Sequence, residues 1–303
     1  MLNFVYAFDK NYYIQACVSI YSLLEKVSKP INLYLILDSS SKNLDFPSKI
    51  IYHKNLNCLT IKNFNNEKSY YNLNQAHVSN ATFYRLYLSD LFLEEDFELV
   101  YLDSDIICVN DPCSLIELSF EEMKNDKYFI GFADEVYKEI SDEPFIRLNM
   151  VSNKYFNAGV MLLNLEKWKI NNLTNRSLDL INNLKEKAKF WDQDILNSLI
   201  DGNYYSINNN LNFRSQEGIN DDIIFLHYSG KSKPWDVGGI FEIKAYDYHK
   251  FYQKLFEKQF HIVVKNRKNS VFKLFKTFKN ASDINLIKYF QYLFFVFIKI
   301  IKK

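Results

Sequence analysis

The 303-residue chain is 48% hydrophobic and 24% charged, a balance that excludes a disordered or fibrous protein and supplies apolar material for a real core. Its net charge of +1 conceals a split: residues 251–303 hold 12 Lys/Arg against two acids, net +10, and the first 250 residues hold 25 against 34, net −9. An acidic body with a basic tail suits an anionic surface and argues against a nucleic-acid-binding face on the body. Cys17, Cys58, Cys108 and Cys113 form no C-x-x-C pair, so reduced thiols in a cytoplasmic setting are expected. The N-terminus offers neither a basic n-region nor an apolar h-region of useful length.

In chain order, Leu2 to Phe8 reads as a buried strand ending at Asp9-Lys10-Asn11. A helical pattern follows from about Tyr12 to Val27, with Ile14, Cys17, Val18, Tyr21 and Leu24 on one face, and Pro30 stops it before a second strand, Ile31 to Leu37. Strand, helix and strand with short connections predict a mostly parallel sheet. Ligands of such sheets bind outside the carboxyl ends of the strands, where Asp9 and Asn11 stand. A helix and a short strand near Cys58 to Ile61 come next, then a helical pattern from Ser79 to Leu91. Arg85 lies on that helix and, from its residue type alone, reads as a solvated charge.

The apolar run Leu99 to Leu102 predicts a buried strand that delivers Asp103 and Asp105 at its end. Side chains two apart on extended backbone share a side, and two carboxylates so placed suit a hard divalent cation with positions open for phosphate oxygens. A polar turn with one Asp as a cap gives the same pattern. Beyond it, a helix is expected near Ser114 to Phe120, a strand from Tyr128 to Ala133, and another from Tyr155 to Asn164. In the last of these, Ala158 and Gly159 allow close backbone approach to a ligand, or serve packing alone. Trp191 to Asn197 opens a helix with Asp192 and Asp194 where the dipole favours acids, and either reads as a cap. The strand Ile223 to Leu226 ends in His227-Tyr228-Ser229-Gly230-Lys231-Ser232-Lys233-Pro234-Trp235, a basic loop after a His that can serve metal and phosphate together.

Six of these motifs, in this order, resemble glycosyltransferase family 8: Ala7-Phe8-Asp9-Lys10-Asn11-Tyr12, Tyr84-Arg85-Leu86, Leu102-Asp103-Ser104-Asp105, Phe156-Asn157-Ala158-Gly159-Val160, Asp192-Gln193-Asp194-Ile195-Leu196-Asn197 and the His227 to Trp235 loop. The resemblance runs from about Asn3 to Trp235 and is closest to bacterial lipopolysaccharide α-galactosyl- and α-glucosyltransferases. It implies an α/β fold of the GT-A nucleotide-diphosphosugar transferase type over residues 1–250, with a mostly parallel central sheet flanked by helices. A basic amphipathic helical tail over 251–303 is expected to follow. It further implies Mn²⁺, with Mg²⁺ as the alternative, held by Asp103, Asp105 and His227, and a UDP-sugar donor. Ala7, Asp9 and Asn11 would meet the uridine, Arg85 the sugar and nucleotide, Ser104 the donor within its motif, and Asn157 and Ala158 the sugar. Asp192 would bind sugar hydroxyls, Gln193 would lie beneath the anomeric carbon as its catalytic partner, and Gly230 and Lys233 would close over the diphosphate. Asp134 and His77, the latter in the loop Asn74 to Ser79, would face the acceptor. The implied reaction is retaining transfer of galactose or glucose to a lipid-linked saccharide of lipopolysaccharide or lipooligosaccharide. Because Gln193 is a weak nucleophile, front-face attack by the acceptor hydroxyl is favoured over double displacement.

In the tail, Phe272, Phe275 and Phe278 alternate with Lys273, Lys276 and Lys279, and the apolar stretch Tyr289 to Ile298 is shorter than the roughly 18 residues a spanning helix needs. A basic aromatic segment lying on the anionic inner membrane surface is the expectation, with a helix packed on the body or a partner contact as the alternative. Two rival functions carry distinct signatures. A D-x-D phosphatase of the haloacid dehalogenase type places its motif at the end of its first strand, which Asp103 does not follow. A non-catalytic saccharide-binding scaffold does not need Asp103, Asp105, His227 and Lys233 intact.

Overall fold

A computed structural model of the chain describes residues 1–41, 44–65, 80–135, 137, 142–184, 187–217, 220–230, 232–239, 244–264 and 286–301. The first apolar run forms β1 (Asn3–Ala7), followed by the helix Tyr13–Lys26, β2 (Ile31–Asp38) and β3 (Leu56–Phe64). The D-x-D strand is β4 (Glu98–Leu102), and β5 (Ile106–Cys108) follows the two acids at once. Then come the helix Cys113–Asn125, β6 (Ile130–Asp134), β7 (Phe156–Asn164), the helix Trp191–Ile200 and β8 (Tyr205–Ser206). The short strands β9 (Phe213–Arg214) and β10 (Phe225–His227) precede a helix at Ala245–Phe256 and another at Leu286–Ile301.

A seven-stranded sheet has the order β3-β2-β1-β4-β7-β6-β8, in which β7 is antiparallel to both its neighbours and every other pair is parallel. The expected mostly parallel α/β sheet is therefore what the chain forms. Alternate residues of each central strand enter opposite cores. Phe4, Tyr6, Val100 and Leu102 pack with Cys17, Ile20 and Leu24 of the first helix. Val5, Ala7, Leu99 and Tyr101 pack with Leu86, Tyr87 and Leu196 on the other face. Strands covered on both faces must be apolar at every position, which is why they read as runs rather than alternations. A second sheet, β5-β10-β9, pairs His227 with Ile106 and so brings β10 to the end of the D-x-D strand.

The strand order reverses at β1, with β2 on one side and β4 on the other. This is a topological switch point, where a crevice opens at the carboxyl ends of the strands. Val5 pairs with Tyr101, so two residues further on Ala7 stands level with Asp103.

The helix Ala245–Phe256 runs through residue 250, where the body was expected to end, and its Phe251, Tyr252 and Leu255 pack in the main core with Trp235. The helix Leu286–Ile301 buries Tyr292, Val296 and Ile300 against Val237 and Ile262, and the Gly238 N–H donates to the Tyr292 hydroxyl at 2.8 Å. On its other side Phe290, Phe294 and Phe297 are 63%, 63% and 58% exposed. No helix among the described residues is long and apolar enough to cross a membrane. His77, Phe272, Phe275 and Phe278 lie outside the described residues.

Candidate functional site

The site is built around Arg85, which contrary to its residue type is 4% exposed. The segment Asn80–Tyr87, read from sequence as α-helix, is wound as a 3-10 helix. At three residues per turn, positions i and i+3 eclipse, which stacks Thr82 under Arg85. Both then reach Asp192: Thr82 Oγ1 donates to Oδ1 at 2.7 Å and Arg85 Nε pairs with Oδ2 at 2.9 Å. Arg85 Nη2 pairs with Asp103 Oδ1 at 2.5 Å, Nη1 donates to the Ala158 carbonyl at 2.5 Å, and the guanidinium lies 4.3 Å over the Tyr101 ring. One cation thus ties together three separate motifs.

Asp103, Asp105 and His227 each offer a ligand atom within 4.8 Å of the others. Lys233 Nζ pairs with Asp105 Oδ2 at 2.6 Å and donates to the Tyr228 carbonyl at 2.5 Å. His227 Nε2 lies 3.3 Å from Asp105 Oδ1, and His227 Nδ1 is 2.8 Å from Asn212 Oδ1. Burial opposes the charge on Asp105, yet Lys233 and His227 outweigh it and hold that carboxyl below its ordinary range. Burial raises Asp103, with Arg85 opposing and Asp105 adding to the rise. Ser104 Oγ is buried without a hydrogen-bond partner among the described residues. Two carboxylates and an imidazole make a donor set that fits Mn²⁺ or Mg²⁺.

The β6–β7 register shifts so that Phe132 pairs with Met161 while Ala133 pairs with Asn157, leaving Ala158 to Val160 out of that ladder. Such bulges re-aim backbone beside functional sites. Here the Ala158 carbonyl meets Arg85, and on the β4 side the Gly159 carbonyl accepts from the Asp103 N–H at 2.9 Å, extending the β4–β7 ladder. The space at Gly159 serves His227: a Cβ there would stand 2.3 Å from Cε1 of the imidazole. Gln193 joins the same network, its Oε1 accepting from the Ala158 N–H at 3.2 Å and from Asn157 Nδ2 at 3.1 Å.

Other expected residues are placed as follows. Asp9 caps the turn Lys10–Tyr12, accepting from the N–H groups of Asn11 and Tyr12 and from Asn11 Nδ2. It belongs to the same electrostatic field as the Asp103–Asp105–His227 cluster: burial raises the Tyr12 hydroxyl, and Asp105, Asp236, Asp103 and Asp9 raise it further. Gly230 has φ +83°, a left-handed turn between Ser229 and the Lys233 loop. Asp134 accepts from the Tyr204 hydroxyl, and it is the next residue, Glu135, that reaches Asn157 Nδ2 at 3.3 Å and pairs with Arg214. Asp194 accepts from the Phe190 N–H at the start of its helix at 2.8 Å and is at the same time a fully buried partner of Arg147 at 2.7 Å and of the Tyr155 hydroxyl at 2.6 Å. Glu135, Arg147, Tyr155 and Asn212 lie outside the sequence motifs except for Tyr155, which borders one.

Burial is the main influence on Asp192 and brings its carboxyl to about 6, against the pull of Arg85, which it shares with Asp103. A carboxyl whose folded value exceeds its unfolded value keeps its proton in the native state after the unfolded chain has lost it. Stability of the metal-free protein is therefore expected to fall as pH rises from about 4 to about 6, by about 3 kcal/mol from this group. Asp192→Asn should flatten that fall in urea midpoints measured across the interval; an unchanged slope would refute the assignment.

Comparison with known proteins agrees with this geometry. Residues 3–238 match the sequence profile of glycosyl transferase family 8. The chain is 30% identical over 254 residues to lipopolysaccharide 1,2-glucosyltransferase of Escherichia coli, covering 77% of this chain and 73% of that one. It is 23% identical over 266 residues to lipopolysaccharide 1,3-galactosyltransferase of Salmonella typhimurium, covering 80% and 76%. Its fold is similar to that of galactosyltransferase LgtC, solved in complex with donor and acceptor sugar analogs, at a TM-score of 0.69 and 21% identity over 89% of this chain and 100% of that one. A GT-A type fold follows from that likeness.

Proposed function

Because the chain belongs to glycosyl transferase family 8, we propose that it transfers glucose or galactose from a UDP-sugar to a lipid-borne saccharide, retaining the anomeric configuration. The observation that carries the proposal is the convergence of Asp103, Asp105 and His227 at the β1/β4 switch point, with Arg85 and Lys233 among them. The related lipopolysaccharide glucosyl- and galactosyltransferases supply the sugar and acceptor classes.

Mn²⁺, with Mg²⁺ as the alternative, would be held by Asp103, Asp105 and His227 and would supply a Lewis acid toward the departing diphosphate. The protein's own charges explain why ion and nucleotide would bind as a unit. Asp103, Asp105 and Asp192 face two fixed cations, Arg85 and Lys233, an excess of one carboxylate. A divalent ion alone turns that −1 into +1, and the two negative charges of a nucleotide-sugar diphosphate return it to −1. Lys233, already drawn to Asp105, provides a positive group at the place where negative charge grows on the leaving group. Ser104, Asn157, Ala158, Gly230 and the Ala7-Asp9-Asn11 end of β1 line the donor side in this reading.

Gln193 Oε1 has two donors on it, and its Nε2 donates to Tyr155 OH at 3.2 Å, so the amide is committed as a positioned dipole rather than a nucleophile. Asp192 is likewise held by Thr82 and Arg85. These constraints favour front-face attack: the acceptor oxygen bonds to the anomeric carbon as the carbon–phosphate oxygen bond breaks, and the acceptor proton passes to the leaving phosphate. UDP release tests the proposal. With Mn²⁺ present, slow hydrolysis of UDP-glucose or UDP-galactose is expected, abolished by a chelator, together with Mn²⁺ binding that tightens when UDP is added. Absence of any UDP binding would overturn the reading, and a covalent sugar on Gln193 or Asp192 would overturn the front-face route.

We assign the tail to the anionic cytoplasmic face of the inner membrane. The outward row Phe290, Phe294 and Phe297 repeats at helical spacing on a helix bearing Lys288 and Lys299, within a tail of net charge +10, a combination that suits apolar groups inserted beneath phosphate headgroups. Cutting after residue 264 retains Trp235, the Ala245–Phe256 helix and their core contacts, and should abolish flotation with anionic vesicles. Changing Phe290, Phe294 and Phe297 to Ser should do so as well. Flotation that survives both changes would place the attachment elsewhere.

A further inference from the structure

We propose that Asn212 is a positioning residue that sets the ring tautomer of His227 and, through Asn157, the orientation of Gln193. The proposal rests on the functional reading above. Asn212 lies in none of the motifs, yet it is 4% exposed and both ends of its amide meet site residues.

Two backbone N–H groups, whose donor character is fixed, orient the amides of this network. The Gly159 N–H points at Asn157 Oδ1 at 3.0 Å, and the Ala158 N–H points at Gln193 Oε1 at 3.2 Å. Asn157 must therefore keep its oxygen toward Gly159 and its Nδ2 toward Gln193 Oε1, at 3.1 Å. The Asn212 atom 2.9 Å from Asn157 Oδ1 must then be the donor Nδ2. That leaves Asn212 Oδ1 against His227 Nδ1 at 2.8 Å, so Nδ1 carries the ring proton. Nε2 is then the ring nitrogen that faces the Asp103–Asp105 cluster, 3.3 Å from Asp105 Oδ1, and the one that would turn its lone pair to a metal ion. Continued the other way, Gln193 Nε2 donates to the Tyr155 hydroxyl, which donates to buried Asp194 at 2.6 Å.

Asparagine is the residue type this position demands, because it offers one acceptor and one donor on opposite ends of a short rigid group. Alanine supplies neither end. Aspartate keeps the acceptor for His227 and replaces the donor to Asn157 with a second oxygen, so it separates the two roles.

The test uses the full chain, metal-free, with ¹⁵N-labelled histidine at about pH 8.5, well above the ordinary imidazole value; His227→Gln assigns the signal. Expected are a pyrrole-type Nδ1 and a pyridine-type Nε2 in the wild type and in Asn212→Asp, and the other tautomer or a mixture in Asn212→Ala. Mn²⁺ affinity in the presence of UDP, read by electron paramagnetic resonance of free Mn²⁺, should weaken by about 10–100-fold in Asn212→Ala. Asn212→Asp should bind Mn²⁺ no more weakly than wild type but hydrolyse UDP-sugar more slowly, since Asn157 and Gln193 lose their anchor. A wild-type ring with no proton on Nδ1 overturns the proposal, as does Asn212→Ala with unchanged tautomer and Mn²⁺ affinity. Should Asn212→Ala fail to fold, the wild-type and Asn212→Asp tautomers decide. If the wild type binds no Mn²⁺ with UDP, the functional reading falls, while the metal-free tautomer still judges Asn212.

Discussion

Arg85→Met is expected to cost about 3–5 kcal/mol of folding stability near neutral pH, the range found when one partner of a buried ion pair is removed. The reason is the number of groups that depend on one guanidinium. Asp103 and Asp192 both pair with it, Ala158 gives it a carbonyl, and Tyr101 lies beneath it. Methionine replaces the volume and none of the donors, so buried Asp192 and half-buried Asp103 lose their counter-charge with Asp105 close by. The loss should shrink toward about pH 4, because protonation of Asp103 and Asp192 relieves the uncompensated charge in the variant. Arg85→Lys should fall between, since an ammonium retains the charge but cannot span two carboxylates and a carbonyl with fixed fork geometry. Urea unfolding at about pH 8 and about pH 4.5 measures both arms. A loss below about 1 kcal/mol, typical of exposed pairs, would show that solvent, not Arg85, compensates these acids.

Arg85 also marks where sequence reasoning stops. The opening strand, helix and strand, the stop at Pro30, and the D-x-D at a strand end are signals carried by neighbouring residues. The sheet order that joins β1 to β4 follows from them once both carboxyl ends are seen to need one crevice. Arg85, by contrast, reads as a solvated charge because its partners come from three distant motifs. The 3-10 winding of Asn80–Tyr87 leaves no apolar period different from that of an α-helix over so short a segment. Asp192 and Asp194 look like dipole-stabilising acids of one helix, yet each is buried against an arginine from elsewhere in the chain. Glu135 meets Asn157 across a strand pair whose register shifts between Phe132 and Ala133, a detail no local pattern carries. Asn212 had no legible signal at all, since its role exists only after Asn157 and His227 are folded against it.

Gly159→Ala is expected to weaken Mn²⁺ binding by about 10–100-fold or more and to cost about 1–3 kcal/mol of stability, although it adds a single methyl group. The added Cβ would lie 2.3 Å from Cε1 and 2.7 Å from Nδ1 of His227, and 3.0 Å from Asn157 Oδ1. The imidazole is not a free end that can swing aside. It is 3% exposed, its Nδ1 is engaged by Asn212, and its strand is paired to β5 and β9. Relief must move the ring out of the cluster with Asp103 and Asp105, or break the Asn212 contact that orients it. Gly131→Ala on the neighbouring strand is the control. Its Cβ would meet Ile207 Cγ2 at 2.9 Å and Met123 Sδ at 3.0 Å, apolar side-chain atoms outside the site. That variant should lose stability alone and keep its Mn²⁺ affinity in the presence of UDP. In a His227→Ala background the stability cost of Gly159→Ala should shrink, because the ring it strikes is gone. Equal Mn²⁺ affinity in the two glycine variants, or an undiminished cost in that background, would show that this glycine serves strand packing and not the histidine.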